Sequence, residues 1–392
     1  METIPRHWQT FDVPYRFPVC FTEDVFSPDN TVLRDVIEER DPHVVHKVLV
    51  VIDDGVAQAR HDLIPALYEY FDTHQDRMAL VCDPLVLPGG ERCKNTPETV
   101  SAIHAHINDF GVCRHSYITA IGGGAFLDAV GYAAATGHRG VRLIRIPTTT
   151  LSQADSAMGV KNGVNAFNKK NFIGTFAVPH AVVVDFGFLH TLSDRDWTSG
   201  LSEAVKVALI KDTELFEMME QSAYAVARRS MPHMQSIVHR TATLHLDHIA
   251  QGGDPFEHGS SRPLDFGHWS AHTLERLSDF SLRHGEAVSI GIALDATYAY
   301  LKGFLPESAW RRILAVLDAL GLPLYTPFMS ELDSDGAFLL LRGVQEFREH
   351  MGGVLHLILV EDIGASRDVT EIDADCMSQS IETLTAMYAT HI

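Results

Sequence analysis

Residues 115–137 read HSYITAIGGGAFLDAVGYAAATG, a short apolar run that meets three successive glycines, Gly122, Gly123 and Gly124, and continues as an alanine-rich helical pattern. A strand that turns into a helix through glycine leaves the unpaired N–H groups of the helix N-terminus at the strand's carboxyl end. With no side chains in the way, a pyrophosphate can approach that backbone, so the turn predicts a dinucleotide. The spacing is neither GxGxxG nor GxxxxGK, which excludes a P-loop; the reading rests on the turn's place between a strand and a helix.

The same rhythm extends to both sides. HKVLVVIDDGV (residues 46–56) is a buried parallel strand ending in a turn, followed by a helical pattern, HDLIPALYEYFDTH, and a second strand, RMALVCDPLVLPGG (residues 77–90). ERCKNTPETVSAIHAHINDFG then reads as helix, and VRLIRIPTTTL (residues 141–151) as strand. Strands alternating with helices predict a doubly wound α/β sheet. Asp53 ends the first of these strands, placed either to accept from a ribose hydroxyl or simply to cap the next helix. Residues 146–179, IPTTTLSQADSAMGVKNGVNAFNKKNFIGTFAVP, carry Asp155, Lys161, Lys169, Lys170 and Asn171 among glycines and polar residues. They predict a basic loop or hairpin suited to a phosphorylated ligand. Such a cluster is more often a solvated loop, but this one stands in an acidic chain. Asp185, Phe186 and Gly187 spell the kinase DFG triplet without an HRD loop, an accidental match.

From about residue 194 the strand signal fades, and helices are expected over residues 200–221, 223–250, 265–277, 286–301 and 309–320, with one hairpin within residues 346–364. Residues 264–286, LDFGHWSAHTLERLSDFSLRHGE, hold three histidines. His268 and His272 are four apart and share a helix face, and a break near residues 278–285 puts His284 at the start of the next helix. Two helices then direct imidazoles into one space, which reads as a metal site. Separate buried or surface histidines are the alternative in a chain with 22 of them. Trp269 stands where an HExxH glutamate would be, which excludes a zincin. The best acidic candidate for a further ligand is Glu203 in GLSEAVKVALIKD, with Lys206 one turn along.

A length of 392 residues suits two domains, and a net charge of −20 argues against nucleic acid or an anionic membrane as partner. No apolar run approaches membrane-spanning length, and the first 21 residues carry charges and prolines, so a cytoplasmic location is expected. The five cysteines are scattered without a CxxC pair, as in a reduced compartment.

In order along the chain, ERCK (residues 91–94), IGGGAFLD (121–128), IPTTTLSQADSAMGVKNGVN (146–165), KKNFIG (169–174), FLHTL (188–192), SEAVKVALIKD (202–212), LDFGHWSAH (264–272) and RHGEAVSIGIALD (283–295) resemble the dehydroquinate synthase superfamily, the sugar phosphate cyclases. The resemblance implies an α/β N-terminal Rossmann-like NAD-binding domain, residues 1–193, and an all-α C-terminal metal-binding domain, residues 194–392, paired as a homodimer. It implies one divalent metal, zinc or cobalt, on Glu203, His268 and His284. His272 then lies on the substrate side and is not a ligand. NAD is implied at Asp53, Glu91, Lys94, Gly122, Gly123, Gly124, Asp128, Thr148, Thr149, Phe188 and Thr191. Lys161, Lys170, Asn171 and, from the neighbouring subunit, Arg139 would cradle the substrate phosphate, with Arg348 in place of a family lysine. Asp155 and Lys206 match residues that bind substrate hydroxyls. The implied reaction is transient oxidation of a hydroxyl, β-elimination of phosphate, re-reduction and intramolecular aldol closure to a carbocycle.

Departures from the family pattern bear on the substrate. Its dehydroquinate synthases gather a lysine, an arginine and an asparagine about a substrate carboxylate. Here residues 245–268 read HLDHIAQGGDPFEHGSSRPLDFGH, with Asp247 or His248 near the lysine's place, Arg262 displaced, and Asp265 where asparagine is expected. A carboxylate set against a substrate carboxylate in a partly buried site costs roughly one to several kcal/mol. The neutral hydroxymethyl ketone end of sedoheptulose 7-phosphate suits Asp265 better, so a C7 cyclitol such as 2-epi-5-epi-valiolone is the expected product. His272 stands where synthases of that product tend to have proline, which raises 2-epi-valiolone as another epimer. The rivals are a true 3-dehydroquinate synthase, a metal-dependent polyol dehydrogenase of the same architecture, and a non-catalytic binder. The last would be expected to have lost a member of Glu203, His268 and His284.

Overall fold

A computed structural model describes residues 6–167, 169–252, 256, 264–350 and 355–389. Seven strands, β1 (Val19–Thr22), β2 (His46–Asp53), β3 (Met78–Leu80), β4 (Leu85–Leu87), β5 (Tyr117–Gly122), β6 (Arg142–Pro147) and β9 (Ala181–Asp185), form one sheet, while β7 (Lys161–Ala166) and β8 (Lys169–Phe176) pair as a separate antiparallel hairpin. The sheet order is β1-β9-β6-β5-β2-β3, with β4 also on β2, and every pairing is parallel. Its side chains alternate between two cores. Val48, Val50 and Ile52 of β2 pack with α1 (Val32–Glu38) and α3 (Leu63–Thr73) on one face, and Leu49 and Val51 pack with α4 (Glu98–Asp109) and α5 (Gly124–Thr136) on the other. The short α2 (Asp54–Ala59) follows β2 directly. Burial on both faces explains why β2 and β5 read as unbroken apolar runs.

The second expected strand is two. β3 pairs with the start of β2 through Leu80 and Val48, and β4 with its end from Leu85 and Val51, so five residues of advance face three. The two surplus residues fall in the stretch that ends at Pro84, where proline cannot donate to a ladder.

The second half comprises α6 (Asp194–Ser199), α7 (Leu201–Lys211), α8 (Thr213–Ala227), α9 (Met231–Gln251), α10 (His268–Leu277), α11 (His284–Leu301), α12 (Glu307–Ala319), α13 (Arg342–His350) and α14 (Ala374–Tyr388), with a hairpin of β10 (Leu357–Asp362) and β11 (Ala365–Val369). The expected helix over residues 200–221 breaks at Asp212, whose carboxylate accepts from Leu215 N and pairs with Arg240. The next expected helix breaks at Arg229, at φ +65, where the guanidinium covers the Trp197 ring. Residues 346–350, expected in the hairpin, belong to α13. The core on the α5 face runs on without interruption into α7, α10 and α11. Among the described residues no helix is long and apolar enough to cross a membrane.

Candidate metal centre and ligand cleft

β3 and β4 lie on one side of β2, and β5 lies on the other, so the sheet changes direction between the carboxyl ends of β2 and β5. That switch point is where open α/β sheets bind ligands. It is marked here by Asp53 at the end of β2 and by the glycine turn at the end of β5. A Cβ on Gly122 would lie 2.6 Å from the Phe126 ring, one on Gly123 3.3 Å from Thr149, and one on Gly124 2.4 Å from Ser156 Oγ. The turn is therefore closed to side chains while α5 starts from it. A cleft of 430 Å³ opens there, walled by Asp53, Gly123, Gly124, Thr149 and Thr191, and by His284 from the helical half. These walls fit a dinucleotide. Asp53 stands on this wall and accepts from Gly55 N at 2.8 Å, which caps α2; burial pushes its carboxyl up.

Thr148, itself largely buried, lines the same cleft beside Thr149. The other residues assigned to the dinucleotide sit elsewhere. Phe188 packs inside the α1 and α3 core, under the Arg60 guanidinium at 5.5 Å, so its ring is not on the cleft wall. Lys94 donates to Asp128 at 2.8 Å and to Asn171, and Glu91 accepts from Asn165 at 2.8 Å, which in turn accepts from Asn171 N. Glu91, Lys94 and Asp128 thus tie α5 to the β7–β8 hairpin.

That hairpin covers a second cavity of 460 Å³, lined by Asp128, Asp155, Lys161, Asn171 and His245. Asp155 lies in a π-helical turn, residues 152–156, against α9, with its Oδ1 2.7 Å from His245 Nδ1. Burial alone would raise the Asp155 carboxyl, but His245 holds it below its ordinary value. Burial lowers the Lys161 ammonium, and Asp265 and then Asp155 oppose that shift. Asp247 is exposed and His248 accepts from Lys211 at 2.8 Å, whereas His245 reaches the cavity. Arg262 lies outside the described residues.

Glu203 on α7, His268 at the start of α10 and His284 at the start of α11 converge. Glu203 Oε1 is 3.4 Å from His268 Nε2 and 3.5 Å from His284 Nε2. Bonds of roughly 2.0–2.1 Å in a tetrahedral site put ligand atoms about 3.3–3.4 Å apart, so the trio has the spacing of three corners of such a site. Two imidazoles and one carboxylate are also the donor set of a catalytic site with an open position. The orientations are fixed from behind. His268 Nδ1 lies 3.0 Å from the Phe266 carbonyl, which leaves Nε2 toward Glu203. Gly267, at φ +76, and the Trp269 indole both donate to buried Asp295, anchoring the backbone around His268.

Glu203 is 1% exposed and forms an ion pair with Lys206, 3% exposed. Burial opposes both charges. Lys206 and then His268 nevertheless hold Glu203 well below the carboxylate range, and Glu203 raises Lys206. Burial likewise opposes the His284 imidazolium, but Glu203 and Glu275 push its pKa to about 9.

His272, the substrate-side expectation, has its ring 5.8 Å from His268 and 6.1 Å from His284 and is exposed. With Glu275 and His284 it forms another trio of close donor atoms. Glu275 offers His284 the same oxygen that carries the Lys170 ammonium at 2.8 Å, whereas Glu203 turns Oε1 to both histidines and Oε2 to Lys206, so the trio on Glu203 is the better metal site. Asp265 lies one turn before His268, whose N–H donates to its carbonyl, and its charge acts on both Lys161 and Lys206. Arg139 is exposed beyond the far end of α5, about 20 Å along the helix from the glycine turn. Arg348 on α13 lies against Gln345. Two site residues had escaped the sequence reading, His245 and Glu275. The second carried a signal, since it stands seven residues after His268 and three after His272 on the same helix face.

Residues 84–199 match the family described as 3-dehydroquinate synthase N-terminal, and residues 200–340 match 3-dehydroquinate synthase C-terminal. The 3-dehydroquinate synthase of Coxiella burnetii (strain CbuG_Q212) is 32% identical over 361 residues, 91% of this chain and 93% of that one. The 2-epi-5-epi-valiolone synthase of Streptomyces glaucescens is 32% identical over 359 residues, 91% of this chain and 88% of that one. ValA, the 2-epi-5-epi-valiolone synthase of Streptomyces hygroscopicus subsp. jinggangensis 5008, solved with NAD+ and Zn2+ bound, superposes with a TM-score of 0.83 at 28% identity, covering 97% of this chain and all of its own.

Proposed function

The chain belongs to the dehydroquinate synthase family, and on that premise we propose that it is an NAD- and metal-dependent cyclase that converts sedoheptulose 7-phosphate to a C7 cyclitol and inorganic phosphate. The product would be 2-epi-5-epi-valiolone or its epimer 2-epi-valiolone. The observation that carries this reading is the charge balance of the site. Among the described residues four lysines, Lys94, Lys161, Lys170 and Lys206, face five carboxylates, Asp128, Asp155, Glu203, Asp265 and Glu275. A divalent metal turns this balance slightly positive, enough to welcome one phosphate monoester. A second anionic group on the substrate would meet Asp265, and each of these lysines already has a carboxylate beside it. That favours a neutral ketose phosphate over a heptulosonate.

When bound, the nicotinamide would take up and return one hydride while the metal acts as a Lewis acid on neighbouring substrate oxygens. The dinucleotide would lie on the glycine turn and the metal on Glu203, His268 and His284. Asp155, kept anionic by His245, would accept from a substrate hydroxyl, with Lys206 donating beside it. Lys161, Lys170 and Asn171 would hold the phosphoryl group. Arg139 is too far from its own turn, so it would serve the site of a second subunit in a homodimer. Asp265 would accept from the hydroxymethyl end.

The test is phosphate release by purified protein with NAD+ and zinc or cobalt, offered sedoheptulose 7-phosphate and 3-deoxy-arabino-heptulosonate 7-phosphate in parallel. Release from the first alone is expected. Release from the second alone would make the protein a 3-dehydroquinate synthase, and NADH accumulating on simple polyols without phosphate release would make it a dehydrogenase.

A further inference from the structure

Glu275 of α10 has no part in the roles above. Its carboxyl group, 3% exposed, presents one oxygen to two competitors from different halves of the chain. Lys170 Nζ of β8 lies 2.8 Å from Oε1, and His284 Nδ1 lies 3.6 Å from the same atom. The ammonium is within hydrogen-bond reach and the imidazole is just outside it. Glu275 itself is fixed, since its backbone carbonyl accepts from Phe280 N at 2.7 Å and from Ser278 Oγ at 3.0 Å. Lys170 is held more lightly. Its side chain is 35% exposed, and its Nζ lies 5.2 Å from the centre of the Phe280 ring. Asp279 and Phe280 both take positive φ, +48 and +60, a costly conformation for residues with side chains, in the turn that brings this ring to Lys170.

We propose that Glu275 is a positioning residue shared between Lys170 and His284, and that a phosphoryl group drawing Lys170 away frees Glu275 to take the His284 Nδ1–H and tighten the metal site. This rests on the metal- and phosphate-dependent reading above. A carboxylate on the far nitrogen of a ligand imidazole fixes the ring and raises its basicity. Closing 3.6 Å to a hydrogen bond of about 2.9 Å needs under 1 Å of movement. By linkage, a bound metal then favours phosphate by the same factor that phosphate favours the metal.

The experiment measures Co2+ affinity of the metal-stripped protein by chelator competition, with and without saturating inorganic phosphate, for the wild type, Glu275→Gln and Lys170→Met, with thermal melts to check folding. Phosphate should tighten cobalt about fivefold or more in the wild type. Glu275→Gln should bind cobalt about 10–100-fold more weakly than the phosphate-saturated wild type and show no response to phosphate. Lys170→Met should bind cobalt as tightly as the phosphate-saturated wild type, again without a response. Cobalt affinity in Glu275→Gln equal to that of the phosphate-saturated wild type, or an undiminished phosphate response in either variant, overturns the inference. Cobalt binding that ignores phosphate in the wild type overturns the inference alone, whereas failure of the wild type to bind cobalt overturns the metal reading with it.

Discussion

Glu203→Gln tests the metal centre through stability as well as through metal binding. Glu203 and Lys206 are 1% and 3% exposed, and their ion pair spans one turn of α7. Glutamine keeps the shape but leaves Lys206 a buried cation whose other acidic neighbours are Asp155, engaged by His245 at 2.7 Å, and Asp265, whose charge is shared with Lys161. Breaking a buried pair from one side costs about 3–5 kcal/mol, while removing both partners is often close to neutral. The metal-free variant should therefore be less stable than metal-free wild type by about that amount, and Glu203→Gln with Lys206→Met should recover most of it. Cobalt at 1,000 times its wild-type Kd stabilises the wild type by a further ~4 kcal/mol and should leave both variants unchanged. The gap between cobalt-saturated wild type and the single variant would then be about 7–9 kcal/mol. Denaturant titrations with and without cobalt measure all of these differences. An apo Glu203→Gln protein that unfolds at the wild-type midpoint, or one that still shifts with cobalt, would refute the assignment of Glu203 as both ligand and partner of Lys206.

Other substitutions separate the remaining parts of the site. Lys161→Ala should leave cobalt and NAD+ titrations unchanged and weaken binding of a phosphate ester about tenfold or more, since it removes one charge-assisted contact of about 1.5–3 kcal/mol. Gly124→Ala should weaken NAD+ binding at intact cobalt affinity, because its Cβ would meet Ser156 Oγ at 2.4 Å. Adding Ser156→Ala leaves only the contact to the Ser156 Cβ at 3.3 Å and should restore part of the loss. In the metal-free protein the raised pKa of His284 favours the folded state at low pH, because its imidazolium sits between Glu203 and Glu275. That contribution is complete below the ordinary value near 6.5 and is lost as pH rises to about 9. Thermal melts of chelator-treated protein should decline across this window, and the decline should be smaller in Glu203→Gln, where Glu275 alone still faces the imidazolium.

The glycine turn, the parallel strands and the start of α11 at His284 were legible because each depends on neighbours in the chain. Unbroken apolar runs, glycines at a strand end and a histidine after a helix break are local features that local physics rewards. The errors are equally particular. A strand was drawn through Pro84 and a helix through Asp212, where the chain instead places surplus residues and a carboxylate cap paired with Arg240.

The sequence alone determined that a glycine-cradled α/β half precedes a helical half carrying Glu203, His268 and His284, since periodicity and motif order survive without coordinates. Only the tertiary structure decided which of the histidines on α9 reaches Asp155, and that Glu275 stands between Lys170 and His284. Those facts turn on which face of a helix meets a hairpin 105 residues away in the chain, and no spacing along the sequence encodes such a contact.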